Sequence, residues 1–450
     1  MDTDVIIMGA GYAGLAAADG LASAGKQVTV VEARERVGGR TRTDHYEDGL
    51  WLDLGGQWLG PGHDHLYALA KRFDKKVWAM HVDGRHTLHV RGRNRYFRGD
   101  TPPLGVTGLA NLAWAFARLS MLARRVSLYY PWQTPAAHKL DQQTLGDWMR
   151  RHVYQRDARA LLQSTFEAIF AAHPDDISLL HALFYIHSGK GLRSLTSATG
   201  GAQQDRIEGG LQGLAESWLA DLRRRDVNFV FDSPVRAVEQ DAHGVRVHAD
   251  AGSWTAGHVI CTLPPALTLD VDFRPALPEA RRAWCEGMPP GDVIKCFAVY
   301  DTPFWREQGL SGLAAGDHGP VHVAFDITPP DSDQGILLGF IEGREARRWS
   351  EADADERREA ALQSLARFFG EQARSPVRYI DHCWGHETWS GGCYAGVARP
   401  GILTATGDSA RTPHGRIHWA GTETAIHWNG YIEGAIYSGI RAASEVAPEE

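Results

Sequence analysis

Cysteine is scarce in this chain and unpatterned: five in 450 residues, at Cys261, Cys285, Cys296, Cys383 and Cys393, with no Cys-x-x-Cys pair. An odd, unspaced set excludes a disulfide framework and favours a reducing compartment. Positive charge is also short, with 47 Lys and Arg against 55 Asp and Glu and a net charge of -8. No basic patch dominates any stretch, so a nucleic-acid partner is excluded; Arg357 and Arg358 sit among Glu356 and Glu359 on a solvated helix face. The histidines are numerous, but His386, His414, His418 and His427 lack the i, i+4 pairing with a nearby acid that zinc sites show, and no metal site is expected. There is no Gly-x-Ser-x-Gly nucleophile elbow, no internal repeat and no low-complexity linker. Long apolar runs are missing too. Gly105 to Ala123 comes nearest, at about the 18 residues a spanning helix needs. It contains Arg118, Asn111 and Ser120 and runs into Arg124 and Arg125, so a buried or partly exposed helix of a large domain is expected. No secretory signal precedes Asp4-Val-Ile-Ile-Met8, and a cytoplasmic protein is expected.

What the chain does have is glycine in phosphate-binding spacing. Residues 4–8 and 27–32 read as two buried parallel strands, with a helix from Ala13 to Ala24 between them, ended by Gly25. Gly9, Gly11 and Gly14 fall where a strand must turn tightly, approach a pyrophosphate and let a helix pack on the sheet. The helix N-terminus offers N–H groups and a positive dipole end to phosphate. Glu32 closes the second strand 18 residues after Gly14, near the spacing of about 20 expected of an acid on a ribose hydroxyl. The extension Arg34-Glu-Arg-Val-Gly38-Gly39-Arg40-Thr41 suits a longer cofactor than a nicotinamide, with Arg34 and Arg40 near phosphate or ribose. Leu54-Gly-Gly56-Gln57-Trp58 then passes where glycines permit close approach to a flavin ring, and FAD is the expected cofactor.

Beyond this unit, His81 to Tyr96 alternates like strands, and helical patterns follow to about residue 195. A helix is expected at Leu211 to Arg225 and strands at Val227 to Phe231, Val235 to Glu239, Val245 to Ala249, His258 to Thr262, Asp292 to Tyr300 and Gly335 to Ile341. An amphipathic helix is expected at Ala352 to Phe369. The last sixty residues carry Ser390-Gly-Gly-Cys393-Tyr394 and the turn Asn429-Gly-Tyr431-Ile432 that opens a final helix. Lys295 stands in the apolar run Val293-Ile-Lys-Cys-Phe297, where a lysine is unfavourable without a partner.

These motifs, with Gly55-Gly-Gln-Trp-Leu-Gly-Pro61, Gly291-Asp-Val-Ile-Lys295-Cys and Ala420-Gly-Thr-Glu-Thr424, resemble the flavin-containing monoamine oxidases in the same order along almost the whole chain. The resemblance implies an α/β protein. A Rossmann-like FAD-binding domain (residues 1–80, 210–290 and 390–447) would be interleaved with an α+β substrate domain of mixed sheet plus helices (81–209 and 291–389). It implies FAD contacts from Gly9, Gly11, Ala13, Gly14, Glu32, Arg34, Gly39, Arg40, Gly56, Gln57, Trp58, Val235, Trp384, Gly421, Thr422, Glu423, Tyr431 and Ile432. A covalent thioether from Cys393 to the flavin would be the anchor. Lys295 would hold a water at the flavin and assist reaction with oxygen, Tyr394 and Tyr431 would flank the amine, and Gln203 would line its cavity. The implied activity is oxidation of a primary or secondary amine to imine and aldehyde, with O2 reduced to H2O2. The implied partners are a small-molecule amine, O2 and a second copy of the chain in a homodimer, without nucleic acid. The chain ends at Ala447-Pro-Glu-Glu450 with no apolar tail helix, so no membrane anchor is carried over. Residues 317–335, rich in Pro, Asp and Gly, do not match the family's pocket lining. Three rivals stay open: an L-amino-acid oxidase, which needs an arginine clamp, or a polyamine oxidase with channel acids such as Glu208; a biosynthetic flavin dehydrogenase or desaturase using another acceptor; and a noncatalytic flavin-binding module.

Overall fold

A computed structural model describes residues 1–447; the chain end at Pro448 to Glu450, on which the expectation of no tail helix rests, lies outside the described residues. Val5–Met8 is buried on both faces and takes the centre of a five-stranded parallel sheet in the order Ile417–Trp419, His258–Cys261, Val5–Met8, Val28–Val31, Asn228–Val230. Its strands come from the start, middle and end of the chain. A continuous apolar run suits such a doubly covered position. The helix Tyr12–Ser23 covers one face, and the last helix, Ile432–Val446, packs along it. That close approach depends on Gly439, where a Cβ would overlap the Ala13 carbonyl. The two ends of the chain are therefore bound side by side.

A four-stranded sheet follows (Gly252–Ala256, Val245–Ala249, Val235–Gln240, Asp272–Arg274). A mixed seven-stranded sheet, in the order Arg378–Cys383, Val293–Tyr300, Gly335–Glu342, Val323–Asp326, Leu310–Gly316, Arg85–Val90, Arg93–Phe97, forms the other large layer. Its middle pair, Val293–Tyr300 and Gly335–Glu342, is antiparallel and buried at every position. The register sets Val293 opposite Glu342 and Lys295 opposite Phe340.

The expected elements are present, most with ends shifted by a residue or two, while the strands read from His81 begin at Arg85. The helix read as starting at Ala352 starts at Ala354, because the Asp353 carboxylate caps it, accepting from the Asp355 and Glu356 N–H groups at 2.8 and 3.4 Å. Strands Leu310–Gly316, Val323–Asp326, Arg378–Cys383 and Ile417–Trp419 were not anticipated. The first, Leu-Ser-Gly-Leu-Ala-Ala-Gly, lacks β-branched and aromatic residues and is extended by pairing with Arg85–Val90 and Val323–Asp326. Val106–Ala123 is a helix long and apolar enough to cross a bilayer, with mean hydropathy 1.2 and one third of it buried. Asn111, Leu112, Ala115 and Leu119 form its inner stripe, and the Asn111 amide donates to the His152 carbonyl at 3.1 Å.

Candidate active site

One long cavity runs from the glycine turn after Val5–Met8 to the buried centre of the seven-stranded sheet. Its first end is backbone. Gly9 takes φ +102°, and a Cβ on Gly14 would overlap the Gly9 carbonyl, so both positions require glycine for the turn and helix to coexist. The Glu32 carboxylate accepts from the Ala10 N–H at 2.6 Å and the Arg34 N–H at 3.0 Å, which fixes it at the strand end beside the turn. Gly9, Gly11, Ala13, Glu32, Arg34, Gly39, Arg40, Gly56, Gln57, Trp58, Val235, Gly421, Thr422 and Ile432 all line this cavity.

Two residues expected among them stand behind the wall instead. Gly14 is buried under Gly9. Glu423, whose carboxylate is held well below the usual range because Arg40 outweighs its burial, takes the Arg40 guanidinium at 2.7 and 3.1 Å and the Gly396 N–H at 2.9 Å. Arg40 also donates to the Tyr394 carbonyl at 2.8 Å, and Arg34 donates to Glu387, Ser390 and the Trp389 carbonyl. Both arginines face the cavity, but their N–H groups stitch the segment 34–40 to the segment 387–394. Cys393 lines the cavity where these loops meet. Burial pushes its thiol up to about 12 against the pull of Arg40 and Lys295, so the thiolate is not the resting form.

The other end is aromatic. Tyr394 packs edge-on against Phe340, 6.3 Å between centroids, and Phe340 lies 5.8 Å from Trp58. Tyr431 is held by Trp428 at 5.1 Å, His63 at 5.7 Å and Tyr185 at 5.9 Å. Each tyrosine thus belongs to its own cluster, and both line the cavity with Gln203, whose amide is anchored on the Leu195 carbonyl at 3.2 Å. Trp384 is fully buried and donates to the Leu54 carbonyl at 2.7 Å.

Lys295 points into the cavity wall rather than to the surface. Its Nζ donates to the Asp53 carbonyl at 2.5 Å, the Gly55 carbonyl at 2.8 Å and Gln57 Oε1 at 2.6 Å. Burial lowers its pKa to about 7. As an ammonium it fills all three of its donors; as the free amine it leaves one acceptor unpaired and a lone pair available. Beneath it lies an unanticipated buried ion pair, Arg206 to Asp53 at 3.0 Å, with Thr43 and the Leu211 N–H also on the Asp53 carboxylate.

The residues fit a flavin dinucleotide. Gln57 is buried with its amide Nε2 facing no protein partner, beside a Gly55–Gly56 backbone that leaves room for a planar ring. Sequence reasoning missed Asp53, Arg206, Tyr185, His63 and Glu342. Each stands in an apolar or motif-free stretch, and no local signal distinguishes it from a core or surface residue. Glu208, weighed as a channel acid, is exposed and outside the cavity.

A family model described as flavin containing amine oxidoreductase matches residues 12–447. The chain is 40% identical over 447 residues, 99% of its length and 96% of the relative's, to a Mycobacterium tuberculosis protein that carries the name flavin-containing monoamine oxidase AofH. Among solved structures it resembles a putrescine oxidase bound to putrescine, 31% identical with a TM-score of 0.95 and full coverage of both chains. It also resembles cyclohexylamine oxidase from Brevibacterium oxydans, 32% identical with a TM-score of 0.95 and 99% of each chain covered.

Proposed function

We propose that this chain, which belongs to the flavin-containing amine oxidoreductases, oxidises a primary monoamine that carries no second charged group, with O2 as acceptor, and holds its flavin covalently on Cys393. FAD-dependent amine oxidation is the family's chemistry; the substrate class, the oxidant and the linkage are our reading. The observation that carries the substrate class is the charge distribution along the cavity. Its charged lining residues are Glu32, Arg34, Arg40, Arg236, Asp270 and Lys295. Glu32, Arg34, Arg236 and Asp270 lie toward the dinucleotide turn and the four-stranded sheet, Arg40 is committed to Glu423 and the Tyr394 carbonyl, and Lys295 is fully bonded to protein acceptors. The aromatic end therefore has neither an arginine for a carboxylate nor an acid for a second ammonium, and an unpaired charge there would be strongly disfavoured. Tyrosine faces and an aliphatic wall of Ile169 and Ala168 suit an alkyl or arylalkyl amine.

A bound flavin would supply a two-electron acceptor, and the glycine turn, Glu32, Gln57 and Cys393 are among the residues that would hold it. The chain's residues orient the amine between Tyr394 and Tyr431 and exclude water by aromatic packing. Cationic Lys295 stabilises the negative charge that develops on oxygen as it is reduced. The balance is amine plus O2 plus water to aldehyde, ammonia and H2O2. Cys393 lines the cavity at the Arg40–Lys295 side, and these cations favour the thiolate that attachment needs.

A peroxide-coupled assay over paired substrates tests the activity. Tyramine should turn over faster than tyrosine, and phenylethylamine faster than phenylalanine; the reverse order would replace this reading with an amino-acid oxidase. Turnover without peroxide would point instead to a dehydrogenase using another acceptor. Acid precipitation tests the linkage: yellow colour should stay with the wild-type pellet and pass to the supernatant in Cys393→Ala. Free FAD from wild type would remove the covalent claim.

A further inference from the structure

A second cavity, of about 550 Å³, opens between the helix Arg156–Phe170, the loop 317–322 and the helix Gly343–Ser350. It shares no lining residue with the first. Glu342 joins the two. It ends the strand Gly335–Glu342, is 2% exposed, lines the second cavity, and accepts the Tyr394 hydroxyl on Oε1 at 2.9 Å. Its Oε2 is buried and has no hydrogen-bond partner among the described residues. A buried acid that is bonded on one oxygen to the active-site tyrosine and itself lines a polar cavity has the connectivity of a relay. The space is large enough and polar enough for ordered water.

Resting on the amine-oxidase reading, we propose that the proton shed by the bound ammonium leaves the active site through the Tyr394 hydroxyl and Glu342 into this second cavity. The ammonium N–H proton passes to Tyr394 Oη as the phenolic proton moves to Glu342 Oε1. The proton on Oε2 then leaves to water, and the carboxylic acid is regenerated when its remaining proton shifts between its oxygens. No electrons move; one proton enters at the amine and one leaves in the cavity.

Burial lifts the Glu342 carboxyl to about 8, close to working pH, where an acid exchanges protons in both directions. The groups facing it are mixed in sign, so no single neighbour locks its state. From the helix Arg156–Phe170 comes Glu167, which pairs with His322 at 3.3 Å and raises that imidazole despite its burial. From the helix that follows it come Arg344, Glu345 and Arg348, and just before the neighbouring strand stands Asp292, whose carbonyl accepts the Gly343 N–H at 2.8 Å. His173, Asp317 and His318 complete the lining. Exposure rises along the path, from 2% at Glu342 to 17% at the His322 side chain and 57% at His318.

The test is anaerobic stopped-flow reduction of the holoenzyme by phenylethylamine across pH, in wild type, Glu342→Gln and Tyr394→Phe. Gln keeps the acceptor on Tyr394 but cannot pass a proton. At pH 7 the amine arrives as an ammonium, and Glu342→Gln should reduce at least about tenfold more slowly than wild type. The deficit should close as pH approaches the amine's own pKa, because a neutral amine has no proton to shed. β,β-Difluorophenylethylamine, a far weaker base, should rescue the variant at pH 7. Tyr394→Phe should show a pH-dependent component of the same sign, and the double variant should add little to it. A deficit of equal size at every pH and with both amines, or none at all, overturns the relay. Failure of wild type to be reduced by any amine would instead sink the amine-oxidase reading.

Discussion

Lys295 and Glu342 are buried charges on adjacent antiparallel strands, two register positions apart, and they are treated oppositely. Lys295 has every donor bonded, and its first acceptor belongs to Asp53, whose side chain pairs with Arg206. Glu342 has one oxygen bonded and the other unpaired beside a cavity. A buried charge that is fully partnered holds geometry; one that is half-partnered beside solvent-sized space is free to exchange its proton. One strand pair thus presents a rigidly held amine to one cavity and an exchangeable acid to the other.

The largest effect should come from attacking what braces the lysine. Asp53→Ala leaves the Arg206 guanidinium buried and unpaired, and about 3–5 kcal/mol of unfolding free energy should be lost in denaturant titrations. Arg206→Met added to it should restore much of that loss; if the single and double variants are equally unstable, Arg206 is not the strained partner. Lys295→Met should lower the rate constant for reoxidation by O2 at least about tenfold, equivalent to about 1.4 kcal/mol, while anaerobic reduction by amine changes less. Equal oxygen rate constants would take Lys295 out of the oxidative half-reaction.

Smaller, but opposite in sign for the two residues, is the pH dependence of stability. Lys295 falls from 10.5 to about 7 on folding, so the unfolded chain binds more protons and stability rises with pH across that window. Glu342 climbs from 4.5 to about 8, so the native state binds more protons and stability falls as pH rises across that one. Lys295→Met should flatten the rise and Glu342→Gln the fall, each by about 1 kcal/mol per pH unit across its window, read from denaturation midpoints against pH. Slopes unchanged in either variant would mean that its buried group does not titrate there.

Much of the dinucleotide end was legible in order along the chain because its chemistry is backbone chemistry. Gly9, Gly11 and Gly14 are required by turn, approach and packing, and such requirements are local. Lys295 and the two tyrosines were legible only through their motif context. Glu342 was not, since a lone glutamate at the end of Gly-Ile-Leu-Leu-Gly-Phe-Ile reads as the polar cap of a strand. Arg206 stands in no motif, and its carboxylate partner lies 153 residues away.

The amino-acid sequence by itself determined the cofactor turn, the strand and helix periods around it, and the residue types gathered near the flavin, because these follow from sterics and hydrophobic spacing over a few residues. Tertiary structure alone decided that Arg40 bonds Glu423 rather than standing free, that Lys295 is saturated by Asp53, Gly55 and Gln57, and that Glu342 bridges two cavities. Those outcomes depend on which distant groups share a buried volume, where an unpaired charge is too unfavourable to persist and each polar atom takes the partner that packing brings within reach.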